Sequence, residues 1–420
     1  MDDVIAKVVR KAFRLKQSPI QQGDCFAPLA MTCCGEAMNR NLSRRDFLKI
    51  AGVGAGALAF SPYRALDFEY VSVPKRLPQF PDSEIIGRIV DTAVDLRSSP
   101  TNDPNLNTSI TKLAADTLVK WGREVVGNVV GGLSNQRYVE TPEGYIYSSV
   151  LQPTRNLPNS PITEMPAGQQ GFWAEVTVPY VELTHEGAVA SPWLQDHLAY
   201  NFRPKLYYGQ VVWMDQIRTN NGFAEYRWNE GVGHGYGYGA YGEFFWADGA
   251  GFKVLTEEDV APISPDVDPN EKKIQVDLDY QTLSCYEGNT EVYFCRISSG
   301  IKIDAQTGQI SDKLATPVGN LLTHWKIISL NMTAGTFQSG YSTPAVPWTT
   351  MVSGDGIAIH GAFWHNAFGE KRSHGCINVS PEDAKWIFRW TTPYISLAQS
   401  EARVSLPDHG TIVVTTEITF

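Results

Sequence analysis

Cysteine is scarce in this chain: six thiols among 420 residues, none in a Cys-x-x-Cys spacing. That excludes a disulfide-dense scaffold, and the eight scattered histidines add no recognisable metal-ligand spacing. Long apolar runs are missing too. The stretch at residues 50–60 is well short of the roughly 20 apolar residues of an ordinary membrane span. Basic charge is in deficit, with 35 Lys and Arg against 45 Asp and Glu and a net charge of −10. Nucleic acid is therefore not an expected partner. The length allows two to four domains with ample core.

What is present begins with an address. Ser43-Arg44-Arg45-Asp46-Phe47-Leu48-Lys49 precedes the small-residue apolar run at 50–60, the pattern of a twin-arginine export signal. Export by the twin-arginine machinery to the cell envelope, periplasm or wall is expected. Met38 lies five residues before Ser43 and is a candidate translation start. Arg64-Ala65-Leu66 is only a loose cleavage site, so an uncleaved signal that tethers the protein is an open alternative; no lipobox cysteine follows the run. Without residues 1–66 the chain holds 25 basic and 40 acidic residues, a net charge of −15, and three cysteines: Cys285, Cys295 and Cys376.

The chemistry gathers near the C-terminus. Ile359-His360-Gly361 is followed by Ser373-His374-Gly375-Cys376-Ile377-Asn378. A thiol becomes a nucleophile when its surroundings favour the thiolate, usually through an imidazole, and a glycine beside it lets a substrate approach the backbone. An isolated cysteine or histidine is most often inert core; here His360, Gly375 and Cys376 reinforce one another. His360 precedes Cys376, whereas papain-like peptidases place the cysteine first, and no sortase Thr-Leu-x-Thr-Cys element is present. Neither a metal nor a cofactor is expected.

The stretch from His360 to Trp386 resembles the active-site segment of the L,D-transpeptidase catalytic domain, the YkuD-type fold. Thr316-Pro317-Val318-Gly319 is similar to that family's Thr-Pro-x-Gly element, and Ile297-Ser298-Ser299-Gly300 to the strand end before it. The resemblance covers residues 272–416 and implies Cys376 as nucleophile and His360 as its base. It implies the Gly361 carbonyl as orienter of His360, and backbone N–H groups around His374, Gly375 and Cys376 as an oxyanion hole. His374 is expected to support the loop or touch substrate. Ser373 and Asn378 either contact substrate or bond the turn's backbone, and Trp348 is read as a further substrate contact. His365, with no matching role, is read as loop. The implied substrates are peptidoglycan stem peptides, with carbapenem-type β-lactams as acylating inhibitors.

The rest of the chain points to a mainly β protein: two SH3-like β-barrel modules, at 84–155 and 171–262, before the catalytic domain at 272–416. Residues 87–97 alternate like one half-buried strand. Their Leu96-Arg97-Ser98-Ser99-Pro100 ending resembles the first strand of a bacterial SH3-like domain. Short strands are preferred to a helix around 118–121 and 124–130. The endings at 144–153 and 242–248 are similar, which suggests a diverged second copy. The Gly/Tyr run at 231–242 reads as a long hairpin loop, and the clusters at 154–170 and 261–271 as linkers. Cys285 and Cys295 flank a hairpin; a two-residue Gly288-Asn289 turn sets them out of register, so a disulfide is the less favoured alternative. The segment from Lys272 to Phe420 is expected to react with small acyl donors on its own. The competing reading is a wall-binding or scaffolding protein that works through its SH3-like modules.

Overall fold

The computed structural model describes residues 76–131, 135–200, 202–220, 222–232, 242–303, 308–334, 341–405 and 410–418. The twin-arginine segment, Met38 and the cleavage candidate lie outside them, as does most of the Gly/Tyr run. Strands dominate, as expected. No helix among the described residues is long and apolar enough to cross a membrane.

Residues 87–97 do not form one strand. Ile86–Ile89 joins a three-stranded sheet between Leu118–Lys120 and Leu151–Thr154. Val94–Arg97 joins a five-stranded sheet. The break is local: Asp91 Oδ1 accepts from Thr92 N at 2.7 Å, and Ala93 takes a φ of +53°. A left-handed residue cannot continue a strand. Ile89, Val94, Leu96, Val139, Ile146 and Leu151 fill the core of this unit. The segment at 118–130 supplies the strands Leu118–Lys120 and Glu124–Val126.

Residues 171–262 build a six-stranded antiparallel sheet around Val211–Asn220 and Phe223–Asn229. A helix that the sequence reading did not anticipate, Pro192–Ala199, packs Leu194 and Trp193 into its core. Both units end in the same order, strand, 3₁₀ turn, strand: Gly144–Tyr147, Ser148–Val150, Leu151–Thr154 in the first, and Phe244–Asp248, Gly249–Gly251, Phe252–Val254 in the second.

From residue 272 on, two five-stranded sheets enclose a helix. One sheet runs Thr290–Arg296, Thr282–Glu287, Lys272–Asp277, Ile412–Thr416, Gly319–Leu322. The other runs Ile377–Val379, Ala358–Gly361, Tyr341–Met351, Trp325–Ala334, Glu401–Arg403. The helix Pro381–Trp390 starts where Ser380-Pro381-Glu382-Asp383 dictates: the Ser380 side chain accepts from Asp383 N, Pro381 stands in the first turn, and two acids face the dipole. Its buried stripe is Ala384, Ile387, Phe388 and Trp390. The core around it also contains Trp173, Val211, Leu255 and Val260, so one hydrophobic core draws on residues either side of position 270.

Cys285 pairs with Tyr293 and Cys295 with Leu283, so the two thiols are out of register, and both are free and buried. Burial pushes both thiols well above the usual range. The disulfide alternative does not form.

Candidate active site

The strand Ala358–Gly361 is the pivot of the site. It pairs antiparallel with Tyr341–Met351 and parallel with Ile377–Val379, with Ile359 opposite Ile377 and His360 opposite Asn378. A parallel neighbour needs a crossover, and residues 362–376 supply it. His360 and Asn378, as register partners, share one face, and Cys376 lies in the bend immediately before the strand Ile377–Val379. All three line a single cavity of about 820 Å³.

The nucleophile turn is tied to its own domain. Ser373 Oγ donates to Cys376 O at 2.5 Å and accepts from Gly375 N at 3.1 Å. The Gly375 N–H, expected to face an oxyanion, is thus directed at Ser373. Ser373 thus bonds the turn's backbone and also lines the cavity. Gly375 has a φ of +123°, and a Cβ there would meet Ile357 Cδ1 at 2.9 Å, so only glycine fits. Thr316, from the Thr-Pro-x-Gly element, donates to Gly375 O at 2.8 Å and accepts from Gly300 N at 2.9 Å. Behind the turn, Ser298 and Asn378 exchange backbone hydrogen bonds at 2.8 and 2.9 Å.

Burial, opposed in part by the Gly361 carbonyl, pulls the His360 imidazole down to about 4. The His360 Nδ1 lies 3.4 Å from Gly361 O, a carbonyl to which an Nδ1–H would donate. Burial pushes the Cys376 thiol up, with the Ala358 backbone acting the other way. Its Sγ faces Gly356 O at 3.8 Å. Burial thus disfavours the charged form of each group. His374 is exposed and lines the same cavity.

Residues 271–414 match the sequence family described as the L,D-transpeptidase catalytic domain, and residues 41–61 match the twin-arginine translocation pathway signal sequence. The chain carries an L,D-transpeptidase catalytic domain. Its signal directs export by the twin-arginine route. L,D-transpeptidase 2 of Mycobacterium tuberculosis (strain CDC 1551 / Oshkosh) is 28% identical over 116 residues, 26% of this chain and 28% of that relative. The chain thus spans little more than a quarter of this curated relative's length. Among solved structures, the C442S mutant of the Enterococcus faecium L,D-transpeptidase is 22% identical, covering 35% of this chain and 50% of that one, with a TM-score of 0.26. The L,D-transpeptidase from Mycobacterium smegmatis is 14% identical, covering 72% of this chain and all of that one, with a TM-score of 0.27.

In the L,D-transpeptidase domain, the crossover at 362–372 is held from outside. Arg88, 4% exposed, donates to Phe363 O at 2.6 Å and to Gln152 Oε1 at 2.7 and 3.0 Å, and lies 4.0 Å above the Tyr207 ring. Tyr207 stacks on Phe363 at 5.9 Å, while Trp364 stacks on His360 at 5.8 Å. Asn366 is held by the Ser148 and Ser149 carbonyls, and Glu370 accepts from Tyr147 Oη at 3.1 Å.

Two sequence readings change here. Trp348 is not among the residues lining the cavity of His360 and Cys376: it is fully buried, with a φ of +55° and its ring 5.4 Å from Phe388 of the helix. A large aromatic beside a catalytic strand is as useful to the core as to a ligand, and the strand's register sends it inward. His365, read as loop, is 1% exposed, lines the cavity and meets Asn378. Its place inside Trp364-His365-Asn366, between base and nucleophile, was the available signal. Arg88 and Thr316 were the other residues whose contacts the sequence did not disclose. Among the described residues no cluster of three or more His, Cys, Asp or Glu is placed to hold a metal.

Proposed function

We propose that this chain is an exported cysteine L,D-transpeptidase that acts on peptidoglycan stem peptides. The observation that carries the reading is that His360 and Cys376 line one cavity, with the His360 strand paired in parallel to the strand that begins directly after Cys376. His360 Nε2 takes the Cys376 proton as Sγ attacks the carbonyl between the third and fourth stem residues. The C–N bond then breaks, the terminal D-amino acid leaves with the proton from His360, and a thioester holds the rest of the stem. An amine of a neighbouring stem attacks the thioester, gives its proton to His360, and releases the thiol with a 3→3 cross-link formed. Water in the amine's place gives carboxypeptidase trimming. The thioester retains the energy of the cleaved amide, so no ATP is needed outside the cytoplasm.

The test is intact-protein mass spectrometry after incubation with imipenem, a carbapenem with which a solved relative forms a complex. A covalent adduct on Cys376, absent from Cys376→Ala, is expected, and His360→Ala should slow its formation by roughly 10²–10⁴. Purified stem tetrapeptides should then yield 3→3 dimers or trimmed products. A wild-type protein with neither adduct nor product is a wall-binding or scaffolding protein instead.

A further inference from the structure

Three side chains of fixed charge line the catalytic cavity: Arg372, Arg403 and Asp355. In a chain of net charge −10 that surplus of cations is a local reversal of sign. The two arginines stand at different ends. Arg403 closes the strand Glu401–Arg403, at the opposite edge of its sheet from Ile377–Val379. Four strand spacings put those two backbones about 19 Å apart. The Arg403 guanidinium lies 5.0 Å from the Trp325 ring. Arg372 instead immediately precedes the turn that Ser373 Oγ closes onto Cys376 O at 2.5 Å, and its own backbone N–H donates to Ser299 O at 2.8 Å. Its side chain is exposed. Burial first, then the Arg372 charge, hold the His365 imidazole well below the usual histidine range, so that charge stands by the wall that carries His365 and Asn378. The neighbouring cation, Lys371, is paired with Glu417 at 2.5 Å. The Arg372 guanidinium has no ion pair or hydrogen bond among the described residues.

A free guanidinium offers forked donors whose geometry fits a carboxylate. In the reaction proposed above, the fourth stem residue is the last. Its free carboxylate therefore lies one residue, about 3.5 Å of chain, beyond the carbonyl that Cys376 attacks. Arg372, at the base of the nucleophile turn, is the cation at that range; Arg403 is about five residues of extended chain away. Met351, Ile357, Ala358 and Trp364 line the same cavity, so a pair formed there is less screened than one on open surface. We propose that Arg372 is a specificity-determining residue that pairs with the free terminal carboxylate of the acyl donor. The site then takes peptides that end one residue after the cut and discriminates against those that continue or end in an amide. The inference deepens the transpeptidase reading and rests on it for the position of the carboxylate.

The test is equilibrium binding to the full-length Cys376→Ala protein, which needs no turnover. The probes are one synthetic stem tetrapeptide prepared as the free acid and as the C-terminal amide. The acid should bind about tenfold more tightly than the amide. Adding Arg372→Gln should bring that ratio to about one, and Arg372→Lys, which keeps the charge but not the fork, should retain part of it. Arg403→Gln should leave the ratio unchanged. Because the Arg372 guanidinium holds no other group, Arg372→Gln should melt as its parent does, which separates a lost carboxylate contact from a lost fold. Equal binding of acid and amide, no measurable binding of the acid, or a ratio that survives Arg372→Gln overturns the proposal. A ratio lost in Arg403→Gln instead places the carboxylate at the other end and overturns it as well. Imipenem adduct formation and tetrapeptide trimming by the wild-type protein distinguish the two readings. An active wild type with no acid preference refutes the role of Arg372 alone. An inactive wild type whose Cys376→Ala form still prefers the acid through Arg372 refutes the transpeptidase reading and leaves a carboxylate subsite.

Discussion

The two ends of the crossover between His360 and Cys376 are secured by different parts of the chain. The nucleophile end, residues 373–376, is tied by Ser373, Thr316 and Gly300, all within the transpeptidase domain. The other end, with Phe363, Trp364 and Asn366, is held by Arg88, Ser148, Ser149 and Tyr207. Nucleophile geometry is thus local, whereas the wall stacked on the base depends on residues more than 150 positions earlier. The β units before residue 270 act here as part of the scaffold of the site.

Cutting the chain at residue 272 breaks that comparison most severely. Trp173 and Val211 share the core with Ile387 and Phe388, Trp173 Nε1 donates to Leu397 O at 3.2 Å, and Lys385 pairs with Glu175 at 2.7 Å. Exposing those two apolar side chains' contacts alone removes about 5 kcal/mol, comparable with a whole domain's stability. The isolated segment from Lys272 to Phe420 should therefore lack a cooperative thermal transition and form no carbapenem adduct, contrary to the expectation drawn from sequence. A fragment with native-like melting and acylation would show the two ends of the crossover to be equally local.

Arg88→Ala tests the remote end alone. Burial by itself would raise the Asp116 carboxyl; Arg88 and Lys205 together hold it below the usual range. Losing Arg88 leaves Phe363 O and Gln152 without their donor, while Lys205 still faces Asp116 at 2.7 Å. A loss of about 3–4 kcal/mol in chemical denaturation is expected, with slower acylation and an unchanged Cys376 turn. Arg88→Lys should recover little, because an ammonium cannot reproduce the forked donors.

The third test is pH. His360 sits at about 4 when folded, below its ordinary value near 6.5, so the unfolded chain takes up the proton first as pH falls. The stability that follows is complete above about 6.5 and is lost as pH falls toward 4, by about 3 kcal/mol for this group. Urea titrations should show that slope, reduced in His360→Gln, with a residue left by His365, whose shift has the same sign. Acylation should fall with an apparent pKa near 4 and show no step near 6.5.

The smallest effect belongs to the nucleophile end. Thr316→Val leaves Gly375 O and Gly300 N without their partner, at about 2 kcal/mol. Adduct formation should slow while the Phe363 end keeps its geometry. Hydrogen exchange at Gly300 and Gly375, unchanged by Arg88→Ala and raised by Thr316→Val, would separate the two supports; equal effects of both variants would merge them.

Local chemistry was legible in the sequence. Ser380-Pro381-Glu382-Asp383 starts a helix by its own capping, Gly288-Asn289 sets the hairpin that keeps Cys285 from Cys295, and the twin-arginine segment is read by its export route as linear sequence. His360, Gly375 and Cys376 were legible for the same reason: a strand, a left-handed glycine and a thiol lie within one short crossover. Tertiary structure alone decided what depends on which face a residue turns toward and what packs there. It sent Trp348 into the core, drew His365 into the cavity, and brought Arg88 to Phe363 across 275 positions. Such contacts are made by burial and by buried donors seeking acceptors, and neither leaves a spacing in the chain from which the partner can be read.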